Sequence, residues 1–175
     1  MGATLPYAAI LSRAPKRNGD GPVIRIHDGE LPARSDRAPV AESDVELVRD
    51  GYELWNSGDV AGLAELCFSD DIEYRNSPEW PGQRVYRGSD TVVRFLTEEV
   101  AAIIGLEAVR IESMDVFGDE ILIALRAQTH GFESGIDFGE VPVFHVARMR
   151  EGKVSRVRVY LDEKQAMEAA RTGVG

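Results

Sequence analysis

The sequence predicts an α+β fold, in which helices pack on one face of a curved β-sheet. Helical patterns come first along the chain and strand patterns follow, and the last two strands form a hairpin around the Glu151-Gly152 turn. Alternation with a period of two is typical of half-buried strands, and a short turn containing glycine joins such strands. One face of this hairpin carries small and apolar residues around a single histidine, as in the wall of a pocket: Val143, His145, Ala147, Met149, Val157, Val159 and Leu161.

Composition restricts the classes of function. The 175 residues are 43% hydrophobic and 29% charged, which is typical of one globular domain with a core. No run is long enough for a membrane span, so we expect no membrane partner. The net charge is −10, to which residues 1–41 contribute +2 and the rest −12. Because an acidic domain repels phosphate backbones, we expect no nucleic-acid partner. A single cysteine, Cys67, excludes an internal disulfide and indicates a reducing, cytoplasmic location.

The chain divides into three parts by its local patterns. Residues 1–41 are rich in turn-forming proline and glycine, so we predict a flexible N-terminal extension. Within it, residues 23–26 offer an alternative, a single edge strand. The folded domain covers residues 42–171, and residues 172–175 form a short C-terminal tail.

Two antiparallel helices are predicted to open the domain. Ser43 and Glu46 have the spacing of a capping box, so the first helix should begin at Ser43. It should end at residues 56–58, where a glycine follows asparagine and serine. Asp59 should then cap a second, shorter helix over residues 60–68.

The remaining elements follow from apolar spacing and turn residues. A short strand is predicted over residues 72–76, followed by a proline- and glycine-rich loop over 77–88. Ser89-Asp90 should cap a third helix. Antiparallel strands are predicted over 109–117 and 121–131, before the hairpin and a closing helix.

Four stretches, in this order and spacing, carry a resemblance to a known family: LWNSGD, LAELCFSDDIEY, YRGSDTVVRFL and HVARMREGKVSRVRVYLDEKQAMEA. Over about residues 43–171 the chain resembles the nuclear transport factor 2-like superfamily, specifically its SnoaL-like branch. The resemblance implies a cone-shaped, curved mixed β-sheet wrapped around three helices with an interior pocket. It also implies a homodimer through the outer face of the sheet. Members include ketosteroid isomerases, limonene-epoxide hydrolases, scytalone dehydratases, polyketide cyclases and non-catalytic proteins, so fold alone does not decide function.

Two of these activities, ketosteroid isomerisation and epoxide hydrolysis, need residues that this chain does not have at the matching positions. The three functional positions of ketosteroid isomerases fall near Gly51, Asn76 and His145, and none keeps the required residue. The limonene-epoxide hydrolases match locally, with a Tyr-x-Asn-x-Pro word at residues 74–78 that includes Tyr74 and Asn76. Their arginine has a counterpart in Arg126.

Gln128 and Val159 stand where the epoxide hydrolases have two aspartates. Epoxide opening needs one carboxylate to activate water and an acid to protonate the leaving oxygen, and neither residue can do this.

A polyketide cyclase-like chemistry remains, because it needs only one pocket acid or base. His145 is the candidate, since its unperturbed pKa suits proton transfer. Arg126, Gln128 and His130 alternate along the preceding strand and are predicted to bind a carbonyl or oxyanion. The predicted substrate-binding residues are Trp55, Tyr74, Asn76, Trp80, Arg126, Gln128, His130 and Val159.

The alternatives give these residues structural roles. His145 is then a hydrogen-bonded pocket histidine, Arg126 forms an ion pair with Glu133 or Asp137, and the chain is a non-catalytic ligand-binding or dimerisation module. Three histidines without HxH or HxxxH spacing indicate no metal site, and no cofactor motif is present. The expected partners are therefore a small apolar ligand and a second copy of the chain.

Overall fold

The computed structural model describes residues 22–27, 38–80, 83–100, 106–130 and 137–173. The strands are β1 (Val23–Ile26), β2 (Phe68–Arg75), β3 (Val85–Arg87), β4 (Leu106–Phe117), β5 (Glu120–His130), β6 (Asp137–Arg150) and β7 (Lys153–Tyr160). The helices are α1 (Glu42–Asn56), α2 (Val60–Cys67), α3 (Ser89–Arg94) and α4 (Glu163–Thr172), and α3 continues as a π-helical segment over Phe95–Val100.

The seven strands form one curved, unclosed sheet in the order β1-β4-β5-β6-β7-β2-β3. Two pairs are parallel, β1 with β4 and β2 with β7, and the others are antiparallel. The sheet is therefore mixed, which confirms the predicted fold class. The predicted hairpin is β6–β7, and its register places His145 opposite Val159.

The two faces of the sheet carry different helices. The inner face packs against α1, α2 and the α3 segment around a main core that includes Phe95, Ile72 and Ile123. The closing helix α4 lies on the outer face, where Ala166 and Ala170 pack against strand residues. Three helices thus lie within the curve as predicted, and the fourth covers part of the face through which a dimer was expected. Dimer formation stays a prediction.

A buried charge cluster fastens α4 to the outer face. The Glu120 carboxylate is 1% exposed and forms ion pairs with Arg148, Arg156 and Arg158. The same arginines donate to main-chain carbonyls at the end of α4: Arg148 to Gly173 at 2.9 Å and Arg158 to Ala169 at 3.2 Å. Cations at a helix C-terminus oppose the helix dipole, so the cluster stabilises both the helix and its docking.

The predicted capping box of α1 is wrong. The helix begins at Glu42 with Ala41 as its N-cap, so Ser43 lies inside the first turn. The Asp44 carboxylate accepts a hydrogen bond from the Ala41 amide at 2.9 Å. Asp44 therefore does for the Ala41 amide what Glu46 was expected to do for the Ser43 amide. The end of α1 and the Asp59 cap of α2 are as predicted, with Asp59 accepting from the Gly62 amide at 2.8 Å.

The region between α2 and α3 holds more strand than predicted. β2 begins at Phe68 rather than at residue 72, and β3 lies inside the predicted loop, where Tyr86 pairs with Tyr74. The N-cap of α3 is Gly88, at φ +85°, rather than Ser89. Polar residues at the start of β2 concealed its first half from a periodicity argument, and the prolines before β3 concealed that strand.

The edge strand considered at residues 23–26 is present as β1, parallel to β4. Arg25 and His27 both reach the buried Asp115, with His27 Nε2 2.8 Å from its carboxylate. The His27 ring also stacks on Phe117 at 4.5 Å between centroids. Residues 1–21 and 28–37 lie outside the described part of the chain, so the flexible extension stays a prediction there.

Candidate functional site

His145 lies on the inner face of the sheet, in the middle of β6. Its neighbours across the ladder are Ile123 on β5 and Val159 on β7. Above it, the Tyr52 hydroxyl of α1 lies 2.7 Å from His145 Nδ1. The Tyr74 ring of β2 meets the imidazole edge to face at 6.2 Å. Four elements besides β6 thus meet at one histidine.

Asn56 holds the end of α1 in place over the sheet. Its side-chain amide donates to the Val109 carbonyl and accepts from the Val109 amide, both at 2.9 Å. This pair of bonds extends the strand ladder of β4 to a helix side chain. Tyr52 precedes Asn56 by four residues, so it lies on the same helix face and is held toward His145.

Two adjoining cavities meet at this histidine. Each offers about 50 Å³ to the centre of a water-sized sphere. The first, here the tryptophan lobe, is lined by residues that include Trp55, Trp80, Asn76, Ala127, Val141 and Val159. The second, here the cysteine lobe, is lined by residues that include Cys67, Gly51, Leu63, Leu96, Ala147 and Val157. Both lobes are bordered by Tyr52, Trp55, Tyr74 and His145.

Burial keeps the polar groups of the site uncharged. It lowers the pKa of His145 to about 4, because the imidazolium loses its hydration. It raises the pKa of Tyr52 and of Tyr74 well above their ordinary values, since the phenolate would lose hydration too. Near neutral pH all three side chains are therefore neutral hydrogen-bonding groups.

The tautomer of His145 decides what it offers to the cavity. If the Tyr52 hydroxyl donates to Nδ1, the proton is on Nε2 and His145 presents a donor. If Nδ1–H donates to the Tyr52 oxygen, Nε2 presents a lone pair. The Tyr52 hydroxyl occupies His145 Nδ1, so Nε2 is the ring nitrogen left to a ligand, and the Tyr74 ring packs beside the imidazole. His145 and Tyr74 both line the two lobes, so a polar group of a ligand can meet them there.

The structure brings six of the nine predicted site residues to one cavity. With His145, the tryptophan lobe is lined by Trp55, Tyr74, Asn76, Trp80 and Val159. Asn76 also donates its side-chain amide to the Gln83 carbonyl at 3.3 Å, so its orientation is set by the neighbouring loop.

Arg126 and Gln128 lie on the opposite face of the sheet. Ile123 is the residue opposite His145, so alternation sends Leu125 and Ala127 to the cavity and their neighbours outward. Arg126 pairs with Glu112 at 2.9 Å, and the predicted partners, Glu133 and the Asp137 side chain, lie outside the described residues. The predicted carbonyl-binding role of Arg126 and Gln128 therefore does not fit this cavity, and the His130 side chain lies outside the described residues.

Tyr52 is the site residue that the sequence analysis missed. It recurs at helical spacing with Val45 and Val48, which indicated only a core position. The tyrosine position of ketosteroid isomerases falls near Gly51, one residue before Tyr52, and this near match was the available signal. Among the described residues no group of three or more metal-binding side chains is placed to hold an ion. None of the helices described is long and apolar enough to cross a membrane.

A family model described as the SnoaL-like domain matches residues 48–157, which run from within α1 to within β7 and include the site residues named above except Val159. The chain belongs to the SnoaL-like domain family. This confirms the resemblance on which the fold prediction rested. No curated protein matches the chain.

Solved structures with the same fold agree with this membership. A Mesorhizobium loti protein provisionally named a SnoaL-like polyketide cyclase is 23% identical, with a TM-score of 0.54 over 66% of this chain and 97% of its own. TerC, co-crystallised with polyporic acid, is 17% identical, with a TM-score of 0.59 over 73% and 97%. An NTF2-like protein of unknown function from Burkholderia pseudomallei is 16% identical, with a TM-score of 0.60 over 77% and 100%. At these identities the likeness shows the fold alone.

Proposed function

We propose that this SnoaL-like protein binds a small, largely apolar molecule and that His145 exchanges a proton with it, without a cofactor. The observation that carries the proposal is the Tyr52–His145 hydrogen bond at 2.7 Å inside an apolar cavity. It orients the imidazole and leaves Nε2 as the atom that faces a ligand. TerC, a protein of the same fold, was co-crystallised with polyporic acid, which supports an organic molecule as the occupant.

The chemistry that fits is enolisation beside a carbonyl, as in an isomerase or an aldol cyclase. His145 is neutral because its pKa is about 4, so Nε2 accepts a proton without first losing one. The C–H bond breaks, its electron pair forms the C=C bond, and the carbonyl π electrons move to oxygen. The Tyr74 hydroxyl then donates to that oxygen, and His145 returns the proton to the product. Asn76 orients the polar group, and Trp55 and Trp80 enclose the apolar part.

A second candidate is a non-catalytic ligand-binding module with the same occupant. Among the described residues, no carboxylate lines either lobe, so His145 has no second acid or base beside it. An imidazole whose pKa is about 4 is also a weak base. This combination favours a role in which His145 and Tyr74 only hold a ligand.

Deuterium exchange distinguishes these two functions. Small aromatic and terpenoid ketones are incubated with the protein in D₂O, and loss of the α-proton signal is followed by NMR. Wild type should accelerate exchange, His145→Gln should abolish the acceleration, and His27→Gln should keep it, since His27 lies away from the cavity. Binding that His145→Gln weakens, without any exchange, would establish the non-catalytic module. If His145→Gln changes neither ligand binding nor the exchange rate, the proposal is overturned.

A further inference from the structure

The polar groups of the cavity lie between two apolar spaces. Tyr52, Tyr74 and His145 border both lobes, and apolar side chains dominate each lobe beyond them. In the cysteine lobe the Cys67 thiol donates to the Leu47 carbonyl at 3.3 Å. Burial raises the pKa of that thiol to about 11, so it lines the wall as a neutral group. Asn76 is the polar exception in the tryptophan lobe, and the Gln83 carbonyl holds its amide.

The volumes set the size of the occupant. Each lobe offers about 50 Å³ to the centre of a water-sized sphere. The two lobes are therefore similar in size, and each has room for more than one group of methylene size, since a single water needs only about 10–15 Å³. A ligand that fills both lobes therefore has a short apolar arm on each side of its polar group.

We infer that the substrate class is a ketone with its oxygen near the middle of the molecule and an apolar arm of a few carbons on each side. The Tyr74 hydroxyl donates to the oxygen, the carbon beside the carbonyl lies at His145 Nε2, one arm fills the tryptophan lobe, and the other fills the cysteine lobe. This inference rests on the proposed function, because it requires the polar group to bind at His145.

Two isomeric ketones test the inference on the unaltered protein. Nonan-5-one has equal arms, whereas nonan-2-one has the same atoms with one long arm and one methyl group. Burial of a methylene is worth about fourfold in Kd, and nonan-2-one places only a methyl group in one of two lobes of similar size. We expect nonan-5-one to bind at least about tenfold tighter, measured by calorimetry. Equal affinity, or tighter binding of nonan-2-one, would overturn the two-lobe inference.

A matched pair of variants tests each lobe separately. Ala127 and Ala147 are both buried strand residues, 4% and 3% exposed, and they line the tryptophan and cysteine lobes respectively. Ala127→Leu and Ala147→Leu should each weaken the binding of nonan-5-one by at least about tenfold, because the new side chain takes the space of about three methylenes. Each variant alone should leave the Kd of hexan-2-one within about twofold of the wild-type value, because the single long arm of this ketone can enter the other lobe. The double variant should weaken the binding of hexan-2-one too.

The outcomes distinguish a failure of the two-lobe inference from a failure of the proposed function. If only one leucine variant weakens nonan-5-one, the ligand occupies one lobe and the inference fails while the function stands. If His145→Gln leaves the affinity of both ketones unchanged, the polar group does not bind at His145 and the proposed function fails. Ala127→Val and Ala147→Val, with smaller expected losses, replace the leucine variants if these do not fold.

Discussion

Replacing His145 with glutamine should remove a specific part of the pH dependence of stability. Burial lowers the pKa of His145 from 6.5 to about 4 in the folded protein. Between these values the unfolded chain binds a proton that the folded chain does not. Wild type should therefore lose stability as the pH falls through this range, and at higher pH the imidazole is neutral in both states.

The size of this loss follows from the shift. A difference of about 2.5 pKa units corresponds to a loss of about 2 kcal/mol at about pH 5 and about 3 kcal/mol at about pH 4. His145→Gln cannot take up this proton, so the difference in unfolding free energy between wild type and variant should change by these amounts. Urea denaturation at several pH values measures it, because the carboxylates common to both proteins cancel in the difference.

An independent measurement is the NMR titration of the His145 ring in the folded wild type. The signal, assigned by its absence from His145→Gln, should show a midpoint near pH 4. A midpoint near 6.5, with parallel stability curves for wild type and variant, would refute the argument. It would mean that water hydrates the imidazolium and that burial does not control the charge of the site.

Three further predictions concern the supports of the site and of the fold. Glu120→Gln should lower the unfolding free energy by about 3–5 kcal/mol, because the buried arginines around it lose their shared counter-charge. Tyr52→Phe should lower the unfolding free energy by about 1–2 kcal/mol and shift the NMR signal of the His145 ring, because Nδ1 loses its hydrogen-bond partner. Gly51→Ala should cost about 1–3 kcal/mol, because an added Cβ would lie 2.6 Å from Cys67 Sγ.

Each of these three predictions has an outcome that would contradict it. Glu73→Gln, in a more exposed ion pair with Arg75 and Arg87, should cost about 1 kcal/mol or less, and an equal cost at Glu120 would contradict the importance of burial. An unchanged His145 signal in Tyr52→Phe would show that the hydrogen bond is absent in solution. Cys67→Ala should relieve the closest part of the clash in Gly51→Ala and leave the Leu63 Cδ1 contact at 2.9 Å, so fully additive losses in the double variant would contradict the Cys67 contact.

Elements whose signals are local were predicted well. The alternation in residues 143–149 and the glycine turn predicted the β6–β7 hairpin, and Asp59 predicted the cap of α2. The errors arose where local signals compete. Asp44 and Glu46 both follow a plausible capping position, and the contact of Asp44 with the Ala41 amide decides where α1 begins.

The sequence by itself determined the element types, most of their order and the presence of one histidine on an apolar strand face. The tertiary structure decided which face of β5 accompanies that histidine, and so excluded Arg126 from the cavity in favour of Ala127. It also brought Tyr52 to His145, across 93 residues of chain. Periodicity reports only which residues share a face of one element. What that face meets depends on strand register and helix packing between distant segments, which no local pattern contains.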